Sequence, residues 1–178
     1  AAQINQATGR TTYMVHYPGY GRNTSALNMN NMRKVTQDAI GVAARAHERI
    51  ILVGISIGGA ILADAAADAA FLHQTLQIDG IVLMHTFPSL AHLTHGLFRI
   101  PLCITRSFVR DYDTLAATGK LLYIPVHVIN TRADKLIPWH ITDAFRNQRG
   151  ITVHESTAQN HNDFTASIQM LDGVLERL

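Results

Sequence analysis

The stretch "ILVGISIGGAIL" at residues 51–62 decides the fold, because it joins an apolar run to an alanine-rich segment through a glycine-flanked serine. Residues 54–58, Gly-Ile-Ser-Ile-Gly, match the pattern G-x-S-x-G, in which a strand ends on a sharp turn and a helix begins. Bulky side chains two positions on either side of Ser56 would collide on such a turn. The residues that leave room are Gly54, Gly58 and Gly59. The pattern predicts that Ser56 is a nucleophile, and the alternative is a glycine-lined turn without chemistry.

Short apolar bursts alternate with helical periodicity along the chain. The bursts are nearly continuous in apolar residues, as strands buried on both faces are, and the segments between them repeat apolar residues at helical spacing. This alternation predicts an α/β fold with a mostly parallel sheet of about five or six strands and helices on both faces. The predicted strands cover residues 11–17, 49–55, 78–85, 123–130 and 151–156. The predicted helices cover residues 25–47, 59–74, 139–148 and 163–178.

Residues 86–122 interrupt the alternation, because they are longer than a simple crossover and mix apolar residues with turn signals. We expect a short helix around residues 88–97 and then a loop or lid before the strand at 123. The length of 178 residues, with 47% hydrophobic and 16% charged residues, suits one globular domain. The sequence shows no linker, so we predict a single domain over residues 1–178.

A nucleophilic serine needs a base, and the base needs an orienting acid. In α/β folds these residues follow in the order Ser, Asp, His at the carboxyl ends of later strands. Asp134 comes just after the fourth predicted strand, and His161 comes just after the last one. The order predicts that Asp134 orients His161 and that His161 is the general base. Asp143 falls within a predicted helix and Asp79 precedes a strand, so both are better explained as surface structure.

Other titratable residues have simpler predicted roles. His127 and His154 fall inside strands, where a structural histidine is the common outcome, and Asp163 is placed to cap the last helix. His85 ends a strand at the predicted active-site edge, and Tyr20 lies in a Gly-Tyr-Gly turn. We expect both side chains to line the pocket. For His85 the alternative is a strand-end histidine that faces solvent.

Composition excludes several classes of function. The net charge is +2 and the 15 Lys and Arg are scattered, so no nucleic-acid partner is expected. Cys103 is the single cysteine, and His92 and His95 alone make a poor metal site, so no internal disulfide, metal or cofactor is expected. No apolar run approaches the roughly 20 residues that span a bilayer. We expect a soluble, cytoplasmic protein, and membrane association stays open.

Four blocks of the sequence resemble the α/β-hydrolase superfamily, in the order that the superfamily has them. The blocks are "HYPGYGRN" (16–23), "GISIGGA" (54–60), "TRADKLIP" (131–138) and "NHND" (160–163). The first and last are similar to the branch of membrane-associated depalmitoylases and lysophosphatidylserine lipases. The resemblance covers residues 12–178. It implies that Ser56 is the nucleophile, His161 the base and Asp134 its orienter, with the Ile57 N–H as one oxyanion donor.

The sequence departs from the superfamily at the front. There the second oxyanion donor follows a strand that precedes the Gly-Tyr-Gly strand. Only 18 residues lie before Gly19, and the 35 positions from Gly21 to Ser56 hold one helix. We therefore expect an N-terminally shortened hydrolase. It is a shortened form, a fragment that needs a missing partner segment, or a weakened enzyme, since loss of one donor costs roughly 10²–10³ in kcat.

The function predicted from these residues is a serine hydrolase of esterase, lipase or thioesterase type. The apolar stretch "GLFRIPLCI" (96–104) favours a small-molecule or lipid-like acyl substrate, although core packing explains the same residues. One alternative is a non-catalytic binding module of the same fold. Another is a serine peptidase, for which the sequence offers no acidic anchor for a substrate amine.

Overall fold

A four-stranded parallel sheet forms the centre of the protein. The computed structural model describes residues 2–68, 78–108 and 112–178. The strands are β1 (Ile50–Ile55), β2 (Ile78–Met84), β3 (Val126–Asn130) and β4 (Ile151–Glu155). They lie in chain order, and every neighbouring pair is parallel. The carboxyl ends of all four strands therefore meet at one edge of the sheet.

Helices cover both faces of the sheet, as the alternation predicts. They are α1 (Ala2–Thr8), α2 (Met29–Ala46), α3 (Ile57–Ala67), α4 (Leu90–Phe98), α5 (Leu102–Phe108), α6 (Thr114–Thr118), α7 (Trp139–Thr142) and α8 (Thr165–Leu175), with a 3₁₀ turn at Asp143–Asn147. One core packs α2, α3 and α6 on the sheet, and the other packs α8 on the opposite face. Helix α1, which the sequence did not predict, packs on α8 through Ile4.

Local chemistry explains where the main helices begin. The Asn28 side chain accepts the backbone N–H of Asn31 at 2.9 Å, so α2 begins at Met29 and not at the predicted residue 25. Helix α3 is buried on nearly all sides, which suits its alanine-rich sequence. It ends at Ala67, and most of the remaining predicted helix, residues 69–74, lies outside the described residues.

The predicted strand at residues 11–17 is wrong, so the described sheet has four strands and not five or six. Within the described chain this segment pairs with no strand, and Met14 is 61% exposed. The segment contacts the end of α2 instead, where the Tyr13 hydroxyl lies 3.0 Å from His47 Nε2. Residues of this segment and of β1, which is an edge strand of the described sheet, line a common cavity of about 740 Å³. An apolar pattern alone does not make a strand, because a strand needs a neighbouring backbone in register.

The described part of the excursion at residues 86–122 contains three short helices, α4, α5 and α6. The predicted helix at 88–97 is confirmed as α4, which the Ser89 side chain caps by accepting the His92 N–H at 3.2 Å. Residues 109–111 lie outside the description, so a lid role for the excursion stays a prediction. Among the described helices, none combines the length and the apolar character that crossing a membrane requires.

Candidate active site

Ser56 occupies a strained turn between β1 and α3. Its φ of 54° and ψ of −128° lie outside the regions that side chains normally adopt. The Ser56 N–H donates to the Met84 carbonyl at 2.8 Å, and the Thr86 hydroxyl donates to the Ser56 carbonyl at 2.9 Å. The end of β2 and the residue that follows His85 thus bind both the N–H and the carbonyl of Ser56, which fixes the turn.

Close approach of α3 to the strand ends requires two of the three predicted glycines. A Cβ on Gly54 would lie 2.6 Å from the Gly59 Cα, and a Cβ on Gly59 would lie 2.7 Å from the Thr86 Oγ1. A Cβ on Gly58 would lie 3.7 Å from the Tyr17 hydroxyl, which is an ordinary contact. The steric argument therefore holds at Gly54 and Gly59, and Gly58 is not required on that ground.

The structure brings Ser56, His161 and Asp134 together. The Ser56 Oγ lies 2.9 Å from the His161 Nε2, and the His161 Nδ1 lies 2.7 Å from the Asp134 Oδ2. Both distances are those of hydrogen bonds. His161 and Asp134 are buried, while Ser56 is partly exposed. The hydroxyl is thus open to a ligand, and the groups that support it are shielded from water.

Turn geometry fixes the Asp134 carboxylate beyond β3. Its Oδ1 accepts the N–H groups of Leu136 and Ile137, both at 2.8 Å, which leaves Oδ2 for His161. The loop that carries His161 is closed by Asp163, whose carboxylate accepts the Gln159 N–H at 2.8 Å. Asp163 is therefore not the predicted cap of the last helix, because Phe164 holds the cap position of α8.

His85 lies next to Asp134 and His161 in the buried part of the site. Its ring is fully buried, and its Nδ1 lies 3.9 Å from the Asp134 Oδ2. It therefore neither faces solvent nor lines an open surface. Sequence reasoning missed three polar residues that support the cluster, because each is an isolated small residue outside any motif. Ser167 contacts the His85 Nε2 and Ser156 contacts Ser167, while the Thr86 hydroxyl donates to the Ser56 carbonyl.

His85, Asp134 and His161 also offer ligand-type atoms within 4.8 Å of one another. Two ligands of a tetrahedral zinc ion, each about 2.0–2.1 Å from the metal, lie about 3.3 Å apart. The Nδ1 to Oδ2 distance of 2.7 Å between His161 and Asp134 is shorter. The geometry is therefore that of a hydrogen-bonded acid and base, and a metal would have to break this bond.

The other two predicted site residues, Ile57 and Tyr20, have exposed side chains. Ile57 is the first residue of α3 and follows Ser56 directly, so its N–H has no carbonyl within the helix to bind. Tyr20 lies in a turn that the Gly19 and Asn23 backbone closes at 2.9 Å, and its side chain is 66% exposed. No described contact joins Tyr20 to Ser56, so its place in a pocket stays a prediction.

Solved structures with the α/β-hydrolase fold superpose on most of the chain. An α/β fold family hydrolase from Bacillus anthracis str. Sterne is 15% identical, with 91% of this chain and 80% of that chain covered and a TM-score of 0.63. The esterase domain of a Rhodothermus marinus protein is 15% identical, with 99% and 78% covered and a TM-score of 0.65. Est1E from Butyrivibrio proteoclasticus, with ferulic acid bound, is 13% identical, with 91% and 74% covered and a TM-score of 0.64.

Sequence comparison adds nothing to this likeness, since no protein-family model and no curated protein matches the chain. At identities of 13–15% the structural likeness shows the fold alone. The chain therefore has an α/β-hydrolase fold, as the four sequence blocks predict.

Proposed function

We propose that this protein is a serine hydrolase that cleaves ester or thioester bonds of acyl substrates. The observation that carries the proposal is the unbroken chain of two hydrogen bonds from the partly exposed Ser56 Oγ through His161 to the buried Asp134. Two structural neighbours, an esterase domain and a protein with ferulic acid bound, support this proposal. The strained backbone of Ser56 is the second support, because strain of this kind concentrates at functional sites.

The proposed reaction proceeds in two balanced steps. Ser56 Oγ attacks the acyl carbonyl carbon while its proton passes to His161 Nε2, and the leaving oxygen or sulfur then takes that proton as its bond to the acyl carbon breaks. Water next attacks the acyl-enzyme and gives its proton to Nε2. That proton returns to Ser56 Oγ as the acid is released. Asp134 keeps the imidazole oriented and stabilises its positive charge throughout.

The oxyanion of each tetrahedral intermediate needs backbone donors. The Ile57 N–H at the start of α3 is the first. For the second donor we propose an additional strand of polypeptide seated on the free edge of β1. This edge faces the cavity of about 740 Å³, which reaches Gly54, Ile55 and Gly58 beside the turn. Such a strand would end next to Ser56, where a backbone N–H could complete the hole.

The proposed substrates are small or lipid-like acyl compounds. Apolar side chains of α4, α5 and their connection are exposed above a small apolar core formed by Ala60, Phe87, Ile137 and Ile141. The exposed side chains are Leu97, Phe98, Ile100 and Ile104. We therefore propose the depalmitoylase and lysophosphatidylserine lipase branch as the source of the first long-chain substrates to try.

Labelling with a fluorophosphonate probe and turnover of p-nitrophenyl esters of short and long chains test the proposal together. We expect labelling and turnover in the wild type, and neither in Ser56→Ala. Ser25→Ala, in an exposed segment before α2, is the matched control and should behave as wild type.

Two other results would contradict the proposal in different ways. A folded wild type that does not label, beside a control hydrolase that does, would exclude a reactive Ser56. Labelling without turnover of any ester would favour the non-catalytic binding module. A peptide panel distinguishes the peptidase alternative, because a peptidase would cleave amides as well as esters.

A further inference from the structure

The ring of His85 is held behind Asp134 in an unusual position. It is 0% exposed, its φ is 49°, and its backbone N–H donates to the Ile129 carbonyl at 2.9 Å. The ring meets His161 and Phe164 edge-on, with centroid distances of 5.8 and 5.3 Å. A non-glycine residue in the left-handed region is uncommon and persists where its surroundings hold it. The surroundings of His85 therefore fix this ring against the acid of the site.

The two ring nitrogens of His85 have different environments. Nε2 lies 2.7 Å from the Ser167 hydroxyl. Nδ1 lies 3.9 Å from the Asp134 Oδ2, too far for a hydrogen bond, and has no hydrogen-bond partner among the described residues. A buried polar atom without a partner is rare and costly. Because Nδ1 faces the Asp134 carboxylate, a proton on Nδ1 makes their interaction attractive and a lone pair makes it repulsive.

A line of hydrogen bonds indicates which nitrogen is protonated. The Ala158 N–H donates to the Ser156 Oγ at 3.3 Å, and the Ser156 Oγ lies 2.9 Å from the Ser167 Oγ. If each hydroxyl donates onward, Nε2 of His85 accepts and the ring proton sits on Nδ1. The opposite direction would leave an Nδ1 lone pair facing the Asp134 carboxylate in a buried site. That arrangement is repulsive, so the first direction is favoured.

We propose that His85 is a positioning residue for the triad, a neutral imidazole whose Nδ1–H faces the Asp134 carboxylate at 3.9 Å and stabilises its charge opposite His161. The effect on turnover rests on the proposed function, whereas the protonation of Nδ1 does not. The sequence placed His85 in the pocket lining; this inference gives it a role through Asp134 instead.

The electrostatic surroundings keep the ring neutral. Burial is the largest influence and lowers the pKa of His85, the Asp134 carboxylate raises it, and the positive charge that His161 can carry lowers it again. The titratable groups that face the ring are Asp134, His161 and, farther off, Asp163. With His85 neutral, the site keeps one buried carboxylate to balance the one imidazolium that forms during reaction. A charged His85 would compete with His161 for that carboxylate.

The first test measures the tautomer directly and needs no activity. Ring nitrogen-15 chemical shifts of the wild type, assigned by the signals lost in His85→Asn, report which nitrogen carries the proton. We expect a protonated Nδ1 and an unprotonated Nε2 from pH 5.5 to 8. A proton on Nε2, or a charged ring in this range, would overturn the proposal. The tautomer is read from the wild-type protein, and the folded His85→Asn variant serves only to assign the His85 signals.

The second test compares two amides that each replace one ring nitrogen. The amide nitrogen of His85→Asn falls near Nδ1, and that of His85→Gln falls near Nε2. We expect His85→Gln to slow Ser56 labelling and kcat about tenfold with little change in KM, because the dipole at the acid is lost. The acid limb of its pH profile should move to higher pH by roughly half a unit. His85→Asn should keep the wild-type acid limb.

The outcomes separate the two proposals. If the acid limbs of both variants move alike, or neither moves, the role of Nδ1 is wrong even though the enzyme works. If the wild type shows the predicted tautomer but does not label, the proposed function fails and the tautomer stands. Thermal unfolding midpoints of both variants show whether a rate change reflects folding, since a merely structural role would lower the midpoint without moving the acid limb.

Discussion

Two pairs of histidines on the same sheet have very different surroundings. In the acid pair, His85 and His161 meet edge-on around Asp134 at the carboxyl ends of the strands. In the strand pair, His127 and His154 stack on the neighbouring strands β3 and β4, with ring planes 11° apart and the Nδ1 of His127 2.9 Å from the Nε2 of His154. The same side chain is oriented by a carboxylate in one pair and by another histidine in the other. The role of a histidine here depends on its partner.

Position on the sheet explains the difference. Inside β3 and β4, strand register brings His127 and His154 together on neighbouring strands, so each ring is the other's hydrogen-bond partner. Beyond the strand ends, loops from separate parts of the chain converge on one spot. His161 thereby meets a hydroxyl on one side and a carboxylate on the other, which the strand pair lacks.

Replacing one histidine of each pair gives the largest expected contrast. His161→Gln removes the base that takes the Ser56 proton, so kcat should fall about 10⁴–10⁶-fold. His154→Gln removes a histidine from the strand pair and should leave kcat within about twofold of wild type. Ester turnover by both purified variants makes the measurement. A comparable loss in both would mean that the acid pair has no special role.

Changing the acid should produce the next largest effect. Asp134→Asn can still accept the Leu136 and Ile137 N–H groups, but it presents an amide N–H to His161 and favours the wrong tautomer. We expect kcat to fall about 10⁴-fold. Asp143→Asn is the matched control, since Asp143 forms an exposed ion pair with Arg146 at 3.3 Å, and its activity should not change. Equal activity of the two variants would remove Asp134 from the mechanism.

The turn that presents Ser56 to the acid pair can be tested through two adjacent glycines. Gly59→Ala places a Cβ 2.7 Å from the buried Thr86 Oγ1 and should cost about 1–3 kcal/mol in the free energy of unfolding. Gly58→Ala places a Cβ in ordinary contact with the Tyr17 side chain, 3.7 Å from its hydroxyl, and should stabilise α3 by up to about 1 kcal/mol. Urea unfolding of both variants gives the comparison. Similar losses at both positions would contradict the close approach of α3 to Thr86.

Much of this site could be predicted because its parts are encoded locally. The strand, turn and helix around Ser56 occupy one continuous stretch, and chain order together with position after predicted strands selects Asp134 and His161 over their rivals. The segment at 11–17 shows the limit of that approach. Its apolar pattern is that of a strand, but pairing depends on a second backbone, and the free edge of β1 faces a cavity there.

The position of His85 behind Asp134 shows a second limit. Its hydroxyl partner Ser167 comes from α8 and contacts Ser156 of the loop after β4, and isolated serines leave no pattern in a sequence. The strand-end position of His85 was visible, but the direction of its ring depends on a left-handed backbone and on packing against Phe164. Contacts of this kind follow from tertiary structure alone.

We expect the strand pair to affect the stability of the fold and not catalysis. Burial is the largest cause that lowers the pKa of both histidines. The positive charge of Arg177 lowers both pKa values further, and His154 also lowers the pKa of His127. In the unfolded chain both return to about 6.5. The unfolded state then binds more protons than the folded state as pH falls below about 6.5, so stability decreases on the acid side.

The double variant His127→Gln with His154→Gln should weaken this dependence. Between pH 7 and pH 5 its thermal midpoint should fall less than that of the wild type, by a difference of the order of 1–2 °C. The dependence should not vanish, because burial also lowers the pKa of His85. His140→Gln, at an exposed position, is the control and should follow the wild type. If the double variant loses as much stability in acid as the wild type, the strand pair is not what limits the protein at low pH, and the buried His85 becomes the stronger candidate.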